Sequence, residues 1–313
     1  MGRVRILRRD DVERALDMAA CIEAVEAAFV AYSAGRAELP GVIHLDVPEA
    51  RGEVHVKAGH LHGSPAYAVK IASGFAGLEP PAIDGMVMVF DAADGAPLAL
   101  LLDGGLLTDL RTGAAGGVAA RWLAPSTVQR VAVLGTGIQA RRQVEALRVV
   151  RPGGFDVALW GRHGERAAAA AAEIGAAVAA SPEAAVRDAD IVVTCTASRA
   201  PLVDAAWLGP RALVIAVGSD GAGKQELYPE ILRRADVLAV DSLDQSRRIG
   251  ELQHAPEQAD RAVELGTIVA AGASRGDAGL AVADLTGVGV QDVAAAAAVL
   301  ERAAPDAGDA IEL

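Results

Sequence analysis

The sequence predicts an α/β protein: a doubly wound parallel sheet, preceded by an α+β region whose sheet is mostly antiparallel. Three observations predict it. The first is the segment from Arg130 to Ala140, where an apolar run, Val131–Leu134, ends in Gly135-x-Gly137-x-x-Ala140 and leads into a helical stretch, Arg141–Val150. The second is the strand–helix alternation that continues from there to Val240, which implies right-handed crossovers. The third is a different rhythm before it, with short β-like runs separated by turn signals between Val42 and Leu102. The length of 313 residues suits two domains better than one core.

Taken in order, Val12–Ala34 carries helical periodicity through Ala15, Met18, Ile22, Val25 and Phe29, and Gly35 and Pro40 stop it. The β-like runs follow at Val42–Val47, Glu53–Lys57, Tyr67–Ala72, Gly85–Phe90 and Pro97–Leu102, with Asp94-Gly95 and Asp103-Gly104-Gly105 as turn signals. Thr108–Leu123 reads as an Ala-rich helix closed by Pro125. Parallel strands are expected at Val131–Leu134, Asp156–Trp160, Ile191–Thr196, Leu213–Val217 and Val237–Val240, with helices such as Glu165–Ile174 and Pro229–Arg234 between them. Gln291–Arg302 is helical again. The expected division is a first domain over 1–122, completed by a C-terminal helical segment over 291–313, and a second over 123–290.

The glycine motif has a physical reading. Gly135 permits a tight turn out of the strand, Gly137 lets backbone approach a pyrophosphate, and Ala140 allows helix and strand to pack closely. The helix N-terminus adds unpaired N–H groups and a positive dipole end. Strand, glycines and helix in that order predict a Rossmann-type dinucleotide site. In the NAD form of such a site, an acid at the end of the second strand holds the ribose 2′-hydroxyl. Here that strand runs into Gly161-Arg162-His163-Gly164-Glu165-Arg166, with no acid at its end. Arg162, with Arg166 behind it, can pair with a 2′-phosphate, or Arg162 is a solvated arginine beside a turn. The expectation is NADP(H), with NAD(H) open.

Bulk properties narrow the partners. A net charge of −12 argues against nucleic acid or an anionic membrane and requires local cations for any anionic ligand. Cys21 and Cys195 have no metal-ligand spacing and read as buried thiols. His60 and His62, in Gly59-His-Leu-His-Gly63, have no companion carboxylate in sequence and read as polar turn side chains, so no metal is expected. Neither a signal-peptide pattern nor a bilayer-spanning apolar stretch stands in the sequence, and a soluble cytoplasmic protein is expected.

Four further segments accompany the glycine motif: Tyr67–Phe75, Leu101–Ala115, Val217–Leu227 and Asp284–Asp292. In this order and spacing the chain resembles the ornithine cyclodeaminase/mu-crystallin family over nearly its whole length. The resemblance implies a homodimer, with a substrate and dimerisation domain, a Rossmann domain, and a small amino or imino acid bound against the nicotinamide. Carried over by motif, Lys70 and Arg111 match the substrate-carboxylate residues and Asp220 the catalytic acid. Gly135, Thr136, Gly137, Ile138 and Gln139 match the pyrophosphate loop, and Thr286 and Gly287 the segment near the nicotinamide.

Each of these has a plainer alternative. Lys70 is costly to bury unpaired, so a bound carboxylate would complete it, or it is an exposed strand position. Arg111 could pair with Asp109, and Asp220, before Gly221, could be a turn aspartate. Two departures stand out. Where ornithine cyclodeaminases carry an arginine and a glutamate on the first strands of the sheet, this chain has His44 and His55. Lys57 would replace the lost cation, or is a solvated strand lysine. Without that glutamate, the expectation is NAD(P)H-dependent reduction of a small imino acid such as Δ1-pyrroline-2-carboxylate. The alternatives are ornithine cyclodeamination, amino-acid dehydrogenation, and a non-catalytic NADPH-dependent binding protein of the mu-crystallin kind.

Overall fold

In a computed structural model of the chain, residues 2–75, 82–272, 274 and 279–312 are described. Strand β1 (Arg3–Arg8) comes first and is followed by two helices, α1 (Arg9–Ala15) and α2 (Met18–Ser33). The single helix expected over Val12–Ala34 is therefore broken. The cause is Asp17, whose carboxylate accepts the Ala20 N–H at 2.8 Å and caps a new helix, while Leu16 before it is extended.

A meander follows: β2 (Ala37–Glu38), β3 (Ile43–Val47), β4 (Gly52–Leu61), β5 (Ala66–Phe75), β6 (Ala82–Asp91) and β7 (Pro97–Leu102). Each of β4, β5 and β6 runs to 10 residues, longer than the apolar runs suggested, because pairing continues through His, Gly and Ser positions. The sheet order is β18-β1-β7-β6-β5-β4-β2, with β3 on β4 and β18 (Asp309–Glu312) the last strand of the chain. All pairs are antiparallel except β1 with β7. Helix α3 (Leu106–Leu123) starts two residues earlier than expected, because the buried Asp103 carboxylate accepts the Leu107 N–H at 2.5 Å and the Gly105 N–H at 3.3 Å.

The parallel part begins with β8 (Arg130–Leu134), α4 (Ile138–Val150), β9 (Asp156–Trp160), α5 (Gly164–Ile174), β10 (Ala177–Val178), α6 (Pro182–Val186) and β11 (Ile191–Thr194). It continues with β12 (Arg199–Val203), β13 (Leu213–Ala216), β14 (Gln225–Leu227), α7 (Glu230–Arg234) and β15 (Val237–Val240). Helix α8 (Leu243–Ile249), β16 (Val263–Glu264), α9 (Leu265–Ala270) and β17 (Ala281–Asp284) complete it. Eight strands form one sheet in the order β10-β9-β8-β11-β13-β17-β15-β16, every pair parallel. The central β17 was not legible: its residues are Ala-Val-Ala-Asp, and alanine carries little strand propensity. Strands β12 and β14 pair with each other apart from this sheet.

The chain then forms α10 (Gly289–Arg302) and β18 (Asp309–Glu312), which pairs with β1. The segment after Arg302 is thus not helical to the end. By contacts, residues 1–111 and 289–313 form one compact unit and 112–288 the other, with the division inside α3. In the first unit α10 packs on α2, β4 and β5, and Gly59 makes this possible, since a Cβ there would lie 2.8 Å from Leu39 and 3.1 Å from Val293.

Loss of the Asp17 cap tests the helix break. Asp17→Ala is expected to cost about 1 kcal/mol of stability, read as a lower urea midpoint with an unchanged slope.

Candidate functional site

In the first unit, cross-strand register sets one row of side chains on the face covered by α10. Lys57 stands opposite Lys70, which stands opposite Val87, which stands opposite Leu101. Val87 and Leu101 are fully buried, and Lys70 is only 4% exposed. Two residues along each strand lies the next row on that face, His44 opposite His55 opposite Ala72 opposite Gly85. The His44 and His55 rings meet edge to face with centroids 4.6 Å apart. Four of the five proposed substrate-binding residues therefore share one face, because antiparallel pairing puts every second residue there.

The fifth, Arg111, reaches the same place from α3. Its Nε is 3.0 Å from Asp292 Oδ1, and its Nη1 donates to Gln291 Oε1 at 2.7 Å. Lys70 Nζ donates to the same Asp292 oxygen at 2.8 Å and lies 3.3 Å from Thr108 Oγ1. The chain thus supplies a counter-ion from α10, so a bound carboxylate is not needed to pair Lys70, and Lys70 is buried rather than at an exposed strand position. Burial drives the Lys70 amine down to about 7, with Arg111 and Lys57 pushing the same way and Asp292 resisting. Burial also pushes Asp292 upward, but Arg111, Lys70 and Lys57 overcome it and hold the carboxyl below its usual range. Gln291 is fully buried and its Nε2 has no hydrogen-bond partner, and the second Asp292 oxygen, Oδ2, has none either. Gln291 and Asp292 were missed as site residues. The signal was present, since two adjacent polar residues precede a stretch, Val293–Val299, that is all Val and Ala.

Farther along that face, His44 pairs with Asp46 at 3.0 Å, and His55 Nε2 is 3.7 Å from Glu53 Oε2. Burial lowers the His55 pKa, Glu53 opposes it, and His44 and Lys57 add to the lowering. His60 lies 3.3 Å from the Ser64 carbonyl, and His62 pairs with Glu38 at 3.0 Å. Among the described residues, no three His, Cys, Asp or Glu side chains are grouped to hold a metal.

In the second unit, Gly135 has φ +138°, and a Cβ there would lie 2.6 Å from Cys195 Sγ and carbonyl O. Only glycine fits this turn. Gly137 caps α4, with no side chain capping the helix and open space where a Cβ would be. The first turn of this 13-residue helix thus offers its N–H groups to an anion. Thr136 and Gln139 are half-buried there and Ile138 is exposed. At the end of β9, Gly161 makes room for the Thr136 methyl group, and Arg162 and Arg166 are exposed. Cys195 is half-buried rather than fully buried, and desolvation pushes its thiol upward.

Asp220 is exposed on the loop after β13 and ion-pairs with Lys224. Thr286 is buried, its hydroxyl donating to Asp241 at 2.8 Å, while the Gly287 N–H donates to the other Asp241 oxygen at 2.7 Å. Asp241 is one of four buried acids at the carboxyl ends of the strands that no sequence signal exposed. Glu226 accepts from Thr196 N and Oγ1 at 2.6 and 2.7 Å and from Gly218 N at 2.9 Å. Glu251 accepts from the backbone of Glu226 and Leu227, and Asp284 from the backbone of Glu251 and Leu252. Each carboxyl therefore fastens the segment that carries the previous one. Burial pushes Glu251 to about 9 and Asp284 to about 7, and raises Glu226 and Asp241.

A doubly wound sheet with an uncapped glycine turn, and a separate unit built on a mostly antiparallel sheet, define the class of two-unit dinucleotide-dependent enzymes. The chain belongs to the ornithine cyclodeaminase/mu-crystallin family, whose model matches residues 3–306. It is 41% identical to a putative dehydrogenase, RB0419, of Rhizobium meliloti, over 100% of both chains. Three solved structures are similar. An archaeal alanine dehydrogenase dimer with bound NAD gives a TM-score of 0.90 at 31% identity, over 100% of both chains. The iminosuccinate reductase of Paracoccus denitrificans in complex with NAD+ gives 0.88 at 29%, again over 100% of both. The Δ1-pyrroline-2-carboxylate reductase of Thermococcus litoralis, with NADH and L-proline, gives 0.86 at 27%, over 96% of this chain and 97% of that one. Among the described residues, no helix is long and apolar enough to cross a membrane.

Two outcomes test the buried triad. Asp292→Asn removes the carboxylate that Lys70 and Arg111 share and is expected to destabilise the protein by about 3–5 kcal/mol. In protein labelled at lysine 13Cε, the Lys70 resonance should titrate near pH 7 rather than near 10.5. Between those values the unfolded chain binds more protons at this residue, so the contribution of Lys70 to stability rises with pH across that window.

Proposed function

We propose that the protein is an NAD(P)H-dependent reductase of small α-imino acids. One observation carries this reading: Lys70 and Arg111, both buried, share a single carboxylate oxygen of Asp292, and the Gln291 amide beside them keeps an unused donor. Two basic side chains thus share one acid inside the fold, with an unpaired amide donor beside them, a setting that suits the carboxylate of an amino or imino acid. The first unit is the substrate-binding and dimerisation domain, and the second is the dinucleotide-binding domain.

Gly135, Thr136, Gly137, Ile138 and Gln139 hold the pyrophosphate on the α4 N-terminus, and Thr286 and Gly287, fixed by Asp241, border the nicotinamide. A dinucleotide held there would supply the hydride for an imine carbon, and the imine nitrogen would take a proton as the amine forms. Lys70 and Arg111 fix the carboxylate and so aim the α-carbon. Asp220 acts on the nitrogen proton, with Lys224 holding its carboxylate in place. The exposed Arg162, at a strand end without an acid, binds a 2′-phosphate and favours NADP(H), although the similar structures carry NAD+ or NADH.

The chain acts as a homodimer through the other face of the first sheet. There Ile43, Val56, Ile71 and Met86 stand in register across four strands, with Ile43 62% and Met86 37% exposed. An apolar row of this kind on an open face suits a second copy.

A second reading has its own observation. Glu53, two residues before His55 on the same face, is an acid that could meet the terminal ammonium of ornithine, so cyclodeamination is the alternative. With Δ1-pyrroline-2-carboxylate, a reductase consumes one NAD(P)H per imine and ignores ornithine. A cyclodeaminase releases ammonia and proline from ornithine with no net change in cofactor, and binding without turnover of any imino or amino acid favours the binding-protein alternative.

In that assay Asp220→Asn is expected to lower turnover about 100-fold or more while leaving cofactor affinity intact. Arg162→Asp should shift the NADPH-to-NADH affinity ratio toward NADH by about ten- to a hundredfold, the loss of a charge-assisted hydrogen bond of about 1.5–3 kcal/mol. Equal affinities in the unmodified protein overturn the NADP(H) assignment.

A further inference from the structure

The glycine turn before α4 needs a support that its own sequence does not provide. An ordinary helix start is fixed by the side chain of its N-cap residue, but here the N-cap is Gly137 and no side chain caps the helix. A capping side chain would occupy the N–H groups that an anion requires, so the turn has to be held from another direction. Its first part is held by β9 and the residue after it. The Gly135 N–H donates to the Trp160 carbonyl at 2.9 Å, and Gly161 leaves room for the Thr136 methyl group. Gly137 has no side chain to pack, and what holds its peptide is Arg141.

Arg141 stands at the end of the first turn of α4, where side chains lean back toward the N-terminus. Its Nη1 donates to the Thr136 carbonyl at 3.1 Å and to the Gly137 carbonyl at 3.1 Å. The other edge of the guanidinium, Nε and Nη2, meets both carboxylate oxygens of Glu173 on α5, with the Nη2 contact at 2.7 Å. Glu173 neutralises the cation, so Arg141 offers the turn directed hydrogen bonds rather than net charge. A trans peptide points its N–H away from its carbonyl. With the carbonyls of Thr136 and Gly137 fixed on the Arg141 side, the N–H groups of Gly137 and Ile138 are turned to the opposite side, out from the start of the helix.

We infer that Arg141, braced by Glu173, is a positioning residue for the dinucleotide: it grips the carbonyl side of the glycine turn and thereby aims the N–H groups of Gly137 and Ile138 at the pyrophosphate. This rests on the dinucleotide reading above and adds to it the residue that shapes the turn. The chemistry of the side chain fits the task. A planar fork reaches two carbonyls with one nitrogen and two carboxylate oxygens with the others, which the single ammonium of lysine cannot reproduce. The neighbouring Arg142 is engaged elsewhere, with Glu145 at 2.8 Å.

The test is titration of the intact protein with NADPH and with NADH, followed by the fluorescence of the bound cofactor, with urea midpoints of each variant to report folding separately. Arg141→Ala is expected to raise the Kd of both cofactors about ten- to thirtyfold, the scale of losing hydrogen bonds from a charged donor. The NADPH-to-NADH ratio should stay as it was, since both molecules carry the pyrophosphate. Arg141→Lys, which keeps the charge without the fork, should lose nearly as much. Glu173→Gln decides the sign. It loosens the brace and should weaken both cofactors about threefold or more, whereas an arginine bound directly to phosphate would be released from its counter-ion and would hold them more tightly. Tighter binding in Glu173→Gln, full retention in Arg141→Lys, or a loss confined to NADPH overturns the positioning role in favour of a direct phosphate contact. Unchanged affinities in Arg141→Ala overturn it as well and leave the dinucleotide reading standing. An unmodified protein that binds neither NADPH nor NADH overturns both.

Discussion

The first unit is organised around a charge that it must bury. Lys70 sits in a row with Val87 and Leu101, where an ammonium without a partner would not be tolerated. Asp292 answers it, but Asp292 belongs to α10, and the separation in sequence is 222 residues. The helix has to lie against β4 and β5 for the two to meet, and Gly59 gives up its side chain to allow it. Arg111 then adds a second cation to the same oxygen. A hydrophobic triad of equal volume would be cheaper to bury. The chain keeps a lysine and an arginine on one acid all the same, with the Gln291 amide donor and the second Asp292 oxygen unpaired beside them.

The second unit solves a different problem. Loops at the carboxyl ends of parallel strands carry backbone donors that no ladder satisfies. Here four buried carboxyls take them up. Glu226 ties the end of β11 to the turn after β13, Glu251 ties down the strand that carries Glu226, and Asp284 ties down the turn that carries Glu251. Asp241 does the same for Thr286 and Gly287. Burial raises all four toward neutrality, yet each faces hydrogen-bond donors, so the acids serve as acceptors whose cost is shared with the backbone they satisfy. The loop that bears Asp220 runs between two of these anchoring points, Gly218 and Glu226.

Local signals made much of this legible. The glycine turn and β8 follow from residues adjacent in sequence, and so do β9 and β15, whose apolar runs have the observed ends. The alternation that puts His44, His55, Lys57 and Lys70 on one face is a property of period two, although only the register, fixed by pairing, shows that the histidines meet and that Lys57 faces Lys70. What stayed hidden depends on distant pairing. The break at Asp17 competes with an otherwise continuous helical pattern. Strand β17 is Ala-Val-Ala-Asp and owes its conformation to β13 and β15 on either side. The pairing of Asp292 with Lys70, and the linked acids, are invisible because a carboxylate in a sequence carries no mark of which N–H or ammonium it will find.

The separation between Lys70 and Asp292 also governs when this site can exist during synthesis. Every strand of the first sheet but β18 has left the ribosome long before α10 does, and the whole parallel sheet is made in between. During that interval the emerging chain carries a lysine and an arginine bound for the interior without the acid that receives them. The meander therefore cannot close over its own polar row by itself. It waits for a helix encoded near the far end of the message, so the shared Lys70–Arg111–Asp292 cluster is among the last features the nascent polypeptide acquires.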